Sequence, residues 1–175
     1  MSEPKIDESE RHRITDIHEH GIDTKNFVIY LQGVEENPDD GFVEPGVEFR
    51  MANRFIKNLD ILSAQDPERS IMISMKTCGG EIEEGFAMYD AIKAVPNPVV
   101  IVNYTHARSM SSIIFQAANK RVMMPHSSFM FHMGTEMVDG TVKQSRNYLD
   151  WNKKFDKDMF KAYTAAIKAT PGCKM

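Results

Sequence analysis

The chain has 175 residues, 42% of them hydrophobic, and 21 Lys and Arg against 25 Asp and Glu give it a formal net charge of -4. That length suits one domain with a real core and is short for two. An acidic balance with no basic face excludes a general nucleic-acid binder, whose affinity comes from clustered Lys and Arg on phosphates. Cys78 and Cys173 are too few for a disulfide framework. No apolar run reaches the ~20 residues of a membrane helix, and the polar N-terminus does not read as a signal peptide, so a cytoplasmic chain with no membrane partner is expected.

Met1 to about Lys25 is charged and lacks a sustained apolar period, which predicts a mobile N-terminal arm over residues 1–25 and a folded domain over 26–175. Two histidines in His18-Glu19-His20 without a further ligand nearby read as a solvated segment rather than a metal site. Asn26 to Leu31 is a strand candidate ended by Gly33. Glu35 to Gly46, with two prolines, two glycines and several acids, predicts an exposed loop. Met51, Phe55, Leu59 and Leu62 recur at helical spacing, and Pro67 ends the run. Ile71 to Met75 is the next strand and leads into Thr77-Cys78-Gly79-Gly80, where a glycine pair permits close backbone approach. A helix follows from about Glu81 to Val95, with Ile82, Phe86, Tyr89 and Ile92 as its stripe and Pro96 as its stop.

Val99 to Tyr104 reads as a buried strand, and Met110, Ile113, Ile114, Ala117 and Ala118 then form one apolar stripe on a helix. The alternation of strand and helix predicts an α/β domain with a largely parallel sheet, whose ligands lie at the C-terminal ends of the strands. Val122-Met123-Met124 is a further short apolar run, and Phe129 to Gly134 a last strand with His132 near its end. Thr141 to about Ala169 keeps a helical period throughout. A helix of ~28 residues spans about 40 Å at 1.5 Å per residue, so part of it is expected to project beyond a compact domain and to serve assembly.

Ser109 is the organising residue. It stands at a strand-to-helix turn, where free backbone N–H groups and the helix dipole favour an anion on a neighbouring atom. Serine is also a favoured N-cap, so its position alone does not separate a cap from a nucleophile. Acyl transfer needs a nucleophile, a base and oxyanion donors. The chain offers Ser109, then His132 as base, with the backbone N–H groups of Gly80 and Met110 as donors. His106 and His126 compete as bases from loop-like surroundings.

At these residues the chain resembles the ClpP family, the proteolytic subunits of the Clp protease, over roughly Phe27 to Ala169. The resemblance rests on Thr77-Cys78-Gly79-Gly80, Gly85-Phe86-Ala87-Met88-Tyr89-Asp90, Ala107-Arg108-Ser109-Met110 and Met124 to His132, in matching order and spacing. It implies a ClpP/crotonase-like repeated β-β-α spiral closed by a long C-terminal helix. It also implies Ser109 as nucleophile, His132 as base and Gly80 and Met110 as oxyanion donors, with no cofactor or metal. The implied partners are peptide or unfolded-protein substrates, copies of the chain in homo-oligomeric rings, and an ATP-driven AAA+ unfoldase.

The chain departs from the family at Cys78, where a proline is usual, at Arg108, where a small residue is usual, and at Ser111, where a glycine is usual and a side chain is expected to crowd the turn. The loop from Glu35 to Gly46 lengthens the first crossover. The resemblance puts the third triad member, an orienting Asp, beyond the long helix and past residue 175. Asp139, Asp150, Asp156 and Asp158 do not match its motif, and the three on the long helix read as its solvated face. An orienting acid fixes the imidazole tautomer, and in trypsin its replacement lowers kcat about 10⁴-fold. The expectation is a serine endopeptidase working inside an oligomeric chamber, with weak or absent activity from this chain alone. The alternative is an inactive structural or regulatory subunit of the same fold.

Overall fold

The computed structural model describes residues 7–33, 46–134 and 138–171. The expected loop from Glu35 to Gly46 lies outside the described residues apart from Gly46 itself. The described elements run, in chain order, α1 (Glu8–Thr15), a π-helical turn (Asp16–His20), β1 (Ile22–Asp23), β2 (Val28–Gln32), α2 (Phe49–Gln65) and β3 (Ile71–Thr77). They continue with α3 (Ile82–Ala94), β4 (Val99–Arg108), α4 (Met110–Gln116), β5 (Lys120–Met123), β6 (Ser128–Met130) and α5 (Val142–Ala169).

Strand order in the sheet is β1-β2-β3-β4-β5, and β6 also pairs with β4. Only β1 and β2 are antiparallel; the other pairs are parallel and are joined by α2, α3 and α4 as crossovers. Alternate residues of the central strands are buried, Ile71, Ile73 and Met75 on β3 and Val99, Ile101 and Asn103 on β4. The residues between them are only half-buried, so the period of two points one face into the main core. Met51, Phe55, Leu59 and Leu62 of α2, with Met88 and Ile92 of α3, complete that core.

α3 serves two clusters. Gly85, Met88 and Ile92 are its buried residues, whereas Ile82, Phe86 and Tyr89, three of the four positions assigned to its stripe, pack against Met110, Ile113, Met159 and Ala162. α5 is thereby held through its second half, where its buried residues Met159, Ala162 and Ala166 lie. Arg121 of β5 ties its last turn through the Thr170 hydroxyl at 2.9 Å. Its first half leaves Val142, Leu149 and Trp151 exposed, in accord with the projection expected from its length. Thr141 and Gln144 form a reciprocal capping box at its start.

Within residues 7–25, assigned in the sequence to a mobile arm, the structure has α1, the π-helical turn and β1. Asp7 caps α1, and β1 pairs with β2 through Ile22 and Asp23. The tethers are polar. Arg13 clasps the buried Asp23 carboxylate through Nε and Nη2 at 2.9 and 2.7 Å, and Asn58 of α2 donates to the His20 carbonyl at 2.7 Å. Arg13 foremost, and then Asn26, hold the Asp23 carboxyl down at about 2 against the opposing effect of burial. The strand expected to end at Tyr104 instead continues to Arg108. Two extra residues bulge from β4 between its pairings with β3, Met75 to Asn103 and Thr77 to Ala107, and beyond the bulge β4 exchanges β5 for β6. This irregularity carries the chain into the Ser109 turn.

Candidate active site

Ser109 has φ 50° and ψ -128°, a backbone conformation that glycine adopts freely and a serine does not. Three groups hold it there. Its N–H donates to the Met130 carbonyl of β6 at 3.0 Å. Ser112 Oγ donates to its carbonyl at 2.5 Å and lies 2.5 Å from the Tyr163 hydroxyl of α5. Ser111 is fully buried, accepts the Arg108 N–H at 2.8 Å and reaches the Thr77 carbonyl at the end of β3 at 2.8 Å. The crowding expected from Ser111 therefore does not occur: its side chain turns inward and fastens the turn to the neighbouring strand. No side-chain cap bond is made by Ser109 to α4, so its hydroxyl does not act as the helix cap.

The glycine pair abuts this turn. A Cβ on Gly79 would stand 2.6 Å from the Arg108 carbonyl, 2.8 Å from Ser109 Cβ and 2.9 Å from the Met110 nitrogen, at a φ of +98°. Only glycine permits that approach. Gly80 bridges Val47 in parallel: Val47 donates to the Gly79 carbonyl at 2.6 Å and Glu81 donates to the Val47 carbonyl at 2.9 Å. In such a bridge the bracketed residue turns its own N–H to the opposite side. Neither the Gly80 nor the Met110 N–H has a backbone acceptor among the described residues.

Ser109 and His132 line one partly open cleft, together with Ile82, Phe86, Met110, Ile113, Gly134, Phe155, Asp156 and Met159. His132 lies two residues beyond β6 and is exposed, not within a strand as expected. His106, facing Ser128 in the β4–β6 register, and His126, in the turn between β5 and β6, do not line the cleft. Among the described residues no ion pair joins His132 to a carboxylate, and no three His, Cys, Asp or Glu side chains gather as a metal site.

Asp156 departs from its expected place on a solvated face, since it is half-buried and belongs to the cleft wall. Ser112, Tyr163 and the Phe155–Met159 side of α5 were not singled out as site residues in the sequence. The helical period from Thr141 to about Ala169 is legible in the sequence, but nothing in it says which groove the helix closes.

A family model described as Clp protease matches residues 39–171. The chain belongs to the Clp protease family. It is 33% identical over 111 residues to ATP-dependent Clp protease proteolytic subunit 2 of Thermobifida fusca, covering 62% of this chain and 55% of that protein. It is 36% identical over 97 residues to proteolytic subunit 3 of Rhodococcus jostii, covering 54% and 48%. Against the proteolytic subunit of Deinococcus radiodurans the figures are 35% over 96 residues, 54% and 47%. The chain spans about half the length of the curated relatives it matches. Its mixed sheet, crossover helices and long C-terminal helix make up the ClpP fold expected from the sequence.

Proposed function

We propose that this Clp protease-family chain is a serine endopeptidase subunit in which Ser109 attacks the peptide carbonyl. The observation that carries the reading is the strained Ser109 backbone, which presents the residue to a cleft that His132 also lines. In the proposed reaction His132 takes the hydroxyl proton as Ser109 Oγ bonds to the carbonyl carbon, and the Gly80 and Met110 N–H groups receive the oxyanion. His132 then returns the proton to the leaving amine, and water hydrolyses the acyl-enzyme by the same steps in reverse order. The same reading, carried from the resemblance in the sequence, has the chain act in the cytoplasm on unfolded polypeptide, within rings of its own copies and beside an ATP-driven unfoldase; the relatives' names supply only the ATP dependence and the role of a proteolytic subunit.

One observation favours a second reading, an inactive structural subunit: His132 has no carboxylate partner among the described residues, so nothing described fixes its tautomer. An alkyl fluorophosphonate separates the two. Covalent labelling of the full chain that Ser109→Ala abolishes supports the peptidase. Equal labelling of both proteins, or of neither, removes Ser109 as nucleophile and leaves the structural subunit.

A further inference from the structure

The long helix carries three aspartates in its middle turns, and they differ in what they meet. Asp150 is paired with Lys153 at 2.7 Å and Asp158 with Lys161 at 2.8 Å, both one helical turn ahead on α5. Asp156 has no hydrogen bond or ion pair with any described residue, although Lys153, Lys154 and Lys157 are close to it in sequence. It is half-buried and, among the described residues, is the one carboxylate lining the cleft that holds Ser109 and His132. The surrounding wall is apolar, built from Ile82, Phe86, Ile113, Phe155 and Met159.

A cleft beside a nucleophile receives the side chain of the residue whose carbonyl is attacked. A leucine or methionine there would satisfy the apolar wall, but it would displace water from an unpaired carboxylate, which is costly. A lysine or arginine meets both demands, because its methylene stem covers apolar surface while its cationic head reaches the acid. Preference then arises from the penalty against neutral side chains as much as from attraction to charged ones.

We propose that Asp156 makes the Ser109 cleft selective for a cationic side chain, Lys or Arg, on the acyl side of the scissile bond. This rests on the serine peptidase reading above and gives it a substrate class.

The test compares two peptidyl diphenyl phosphonates, identical except for Lys or Leu at the reacting position, by their second-order rates of Ser109 labelling in the full chain. The ratio of rates within one protein is independent of how much of each variant is folded. Lys should be preferred by roughly ten-fold, the ratio should fall to about one in Asp156→Asn, and it should favour Leu in Asp156→Lys. Asp158→Asn, whose aspartate already has a lysine partner, should keep the ratio of the unaltered chain. A ratio of one or less in the unaltered chain overturns the proposal, as does a preference for Lys that survives Asp156→Asn. Equal slowing of both probes in Asp156→Asn, with the ratio kept, also overturns it, because Asp156 would then act on His132 and not on the substrate. The alkyl fluorophosphonate separates the two levels of failure. If it labels Ser109 and the Lys and Leu probes react alike, selectivity alone is lost; if it does not label, the nucleophile is lost and this inference with it.

Discussion

The Tyr163 hydroxyl on α5 lies 2.5 Å from Ser112 Oγ on α4, and Ser112 Oγ in turn donates to the carbonyl of Ser109. A helix remote in sequence is thereby bonded, through one intermediate hydroxyl, to the backbone of the candidate nucleophile. Because Ser112 spends its proton on Ser109, Tyr163 is the donor between the two hydroxyls. Burial raises the Tyr163 phenol above its usual range, which keeps it protonated for that role. Tyr163→Phe should cost about 1 kcal/mol of stability. It should also slow fluorophosphonate labelling several-fold without abolishing it, as read by urea denaturation and labelling kinetics on the same samples.

Gly79→Ala puts a methyl group where the Arg108 carbonyl, Ser109 Cβ and the Met110 nitrogen already stand, at a φ that alanine avoids. The turn must shift, and oxyanion donors work only within a few tenths of an ångström of their place. Labelling of Ser109 should drop by about 10²-fold or more. A Gly79→Ala protein that labels at the normal rate would contradict the packing of the glycine pair on the nucleophile turn.

Ser109→Gly should raise stability while ending labelling. Its backbone sits where non-glycine residues incur roughly 1–3 kcal/mol of strain, and glycine removes that strain at some cost in chain entropy. Measured against Ser109→Ala, which keeps the strain and also lacks the hydroxyl, the glycine variant should melt higher. The reverse order would mean that the turn is not strained.

Ser111→Ala removes the hydroxyl that bonds Arg108 and Thr77 and leaves a buried carbonyl and N–H without it. A loss of about 1–3 kcal/mol in chemical denaturation is expected. Ser111→Gly should be worse than Ser111→Ala, even though glycine is usual at this position in the family, because this chain has built its turn around the side chain.

Asp23 makes a pH prediction. Its folded carboxyl titrates at about 2, below the ordinary 3.8, so its ionised form is favoured by folding. The stabilisation is fully present above about 3.8 and is lost as the pH falls towards 2. Asp23→Asn should lower the melting temperature at neutral pH, and the gap between it and the unaltered chain should narrow between pH 4 and 2. A gap that stays constant through that range would mean that the Arg13 pair contributes nothing.

Apolar periodicity in the sequence was enough to locate α2, α3, α4, α5 and the central strands, because a helix or strand that enters a core must carry its pattern there. Segments held by other forces were harder to read. α1 buries none of its residues and is joined to the domain by Arg13 and by the following turn at His20, so it offers no stripe to detect. The reach of β4 to Arg108 was hidden because a bulge interrupts its alternation where the strand changes partner. At the site, Ser109, His132 and the glycine pair could be found from residue type and order. Asp156 could not: three aspartates on one helix look alike until the groove that one of them faces has been formed.

One wall of the Ser109 cleft is α5, whose own buried residues are Met159, Ala162 and Ala166. Seating of that helix and occupancy of the cleft are consequently linked equilibria. A compound that binds only the closed groove adds its binding free energy to the docking of α5, by about 2.7 kcal/mol at a hundred times its Kd. Amide hydrogen exchange along the second half of α5 therefore gives a measure of occupancy that requires no turnover.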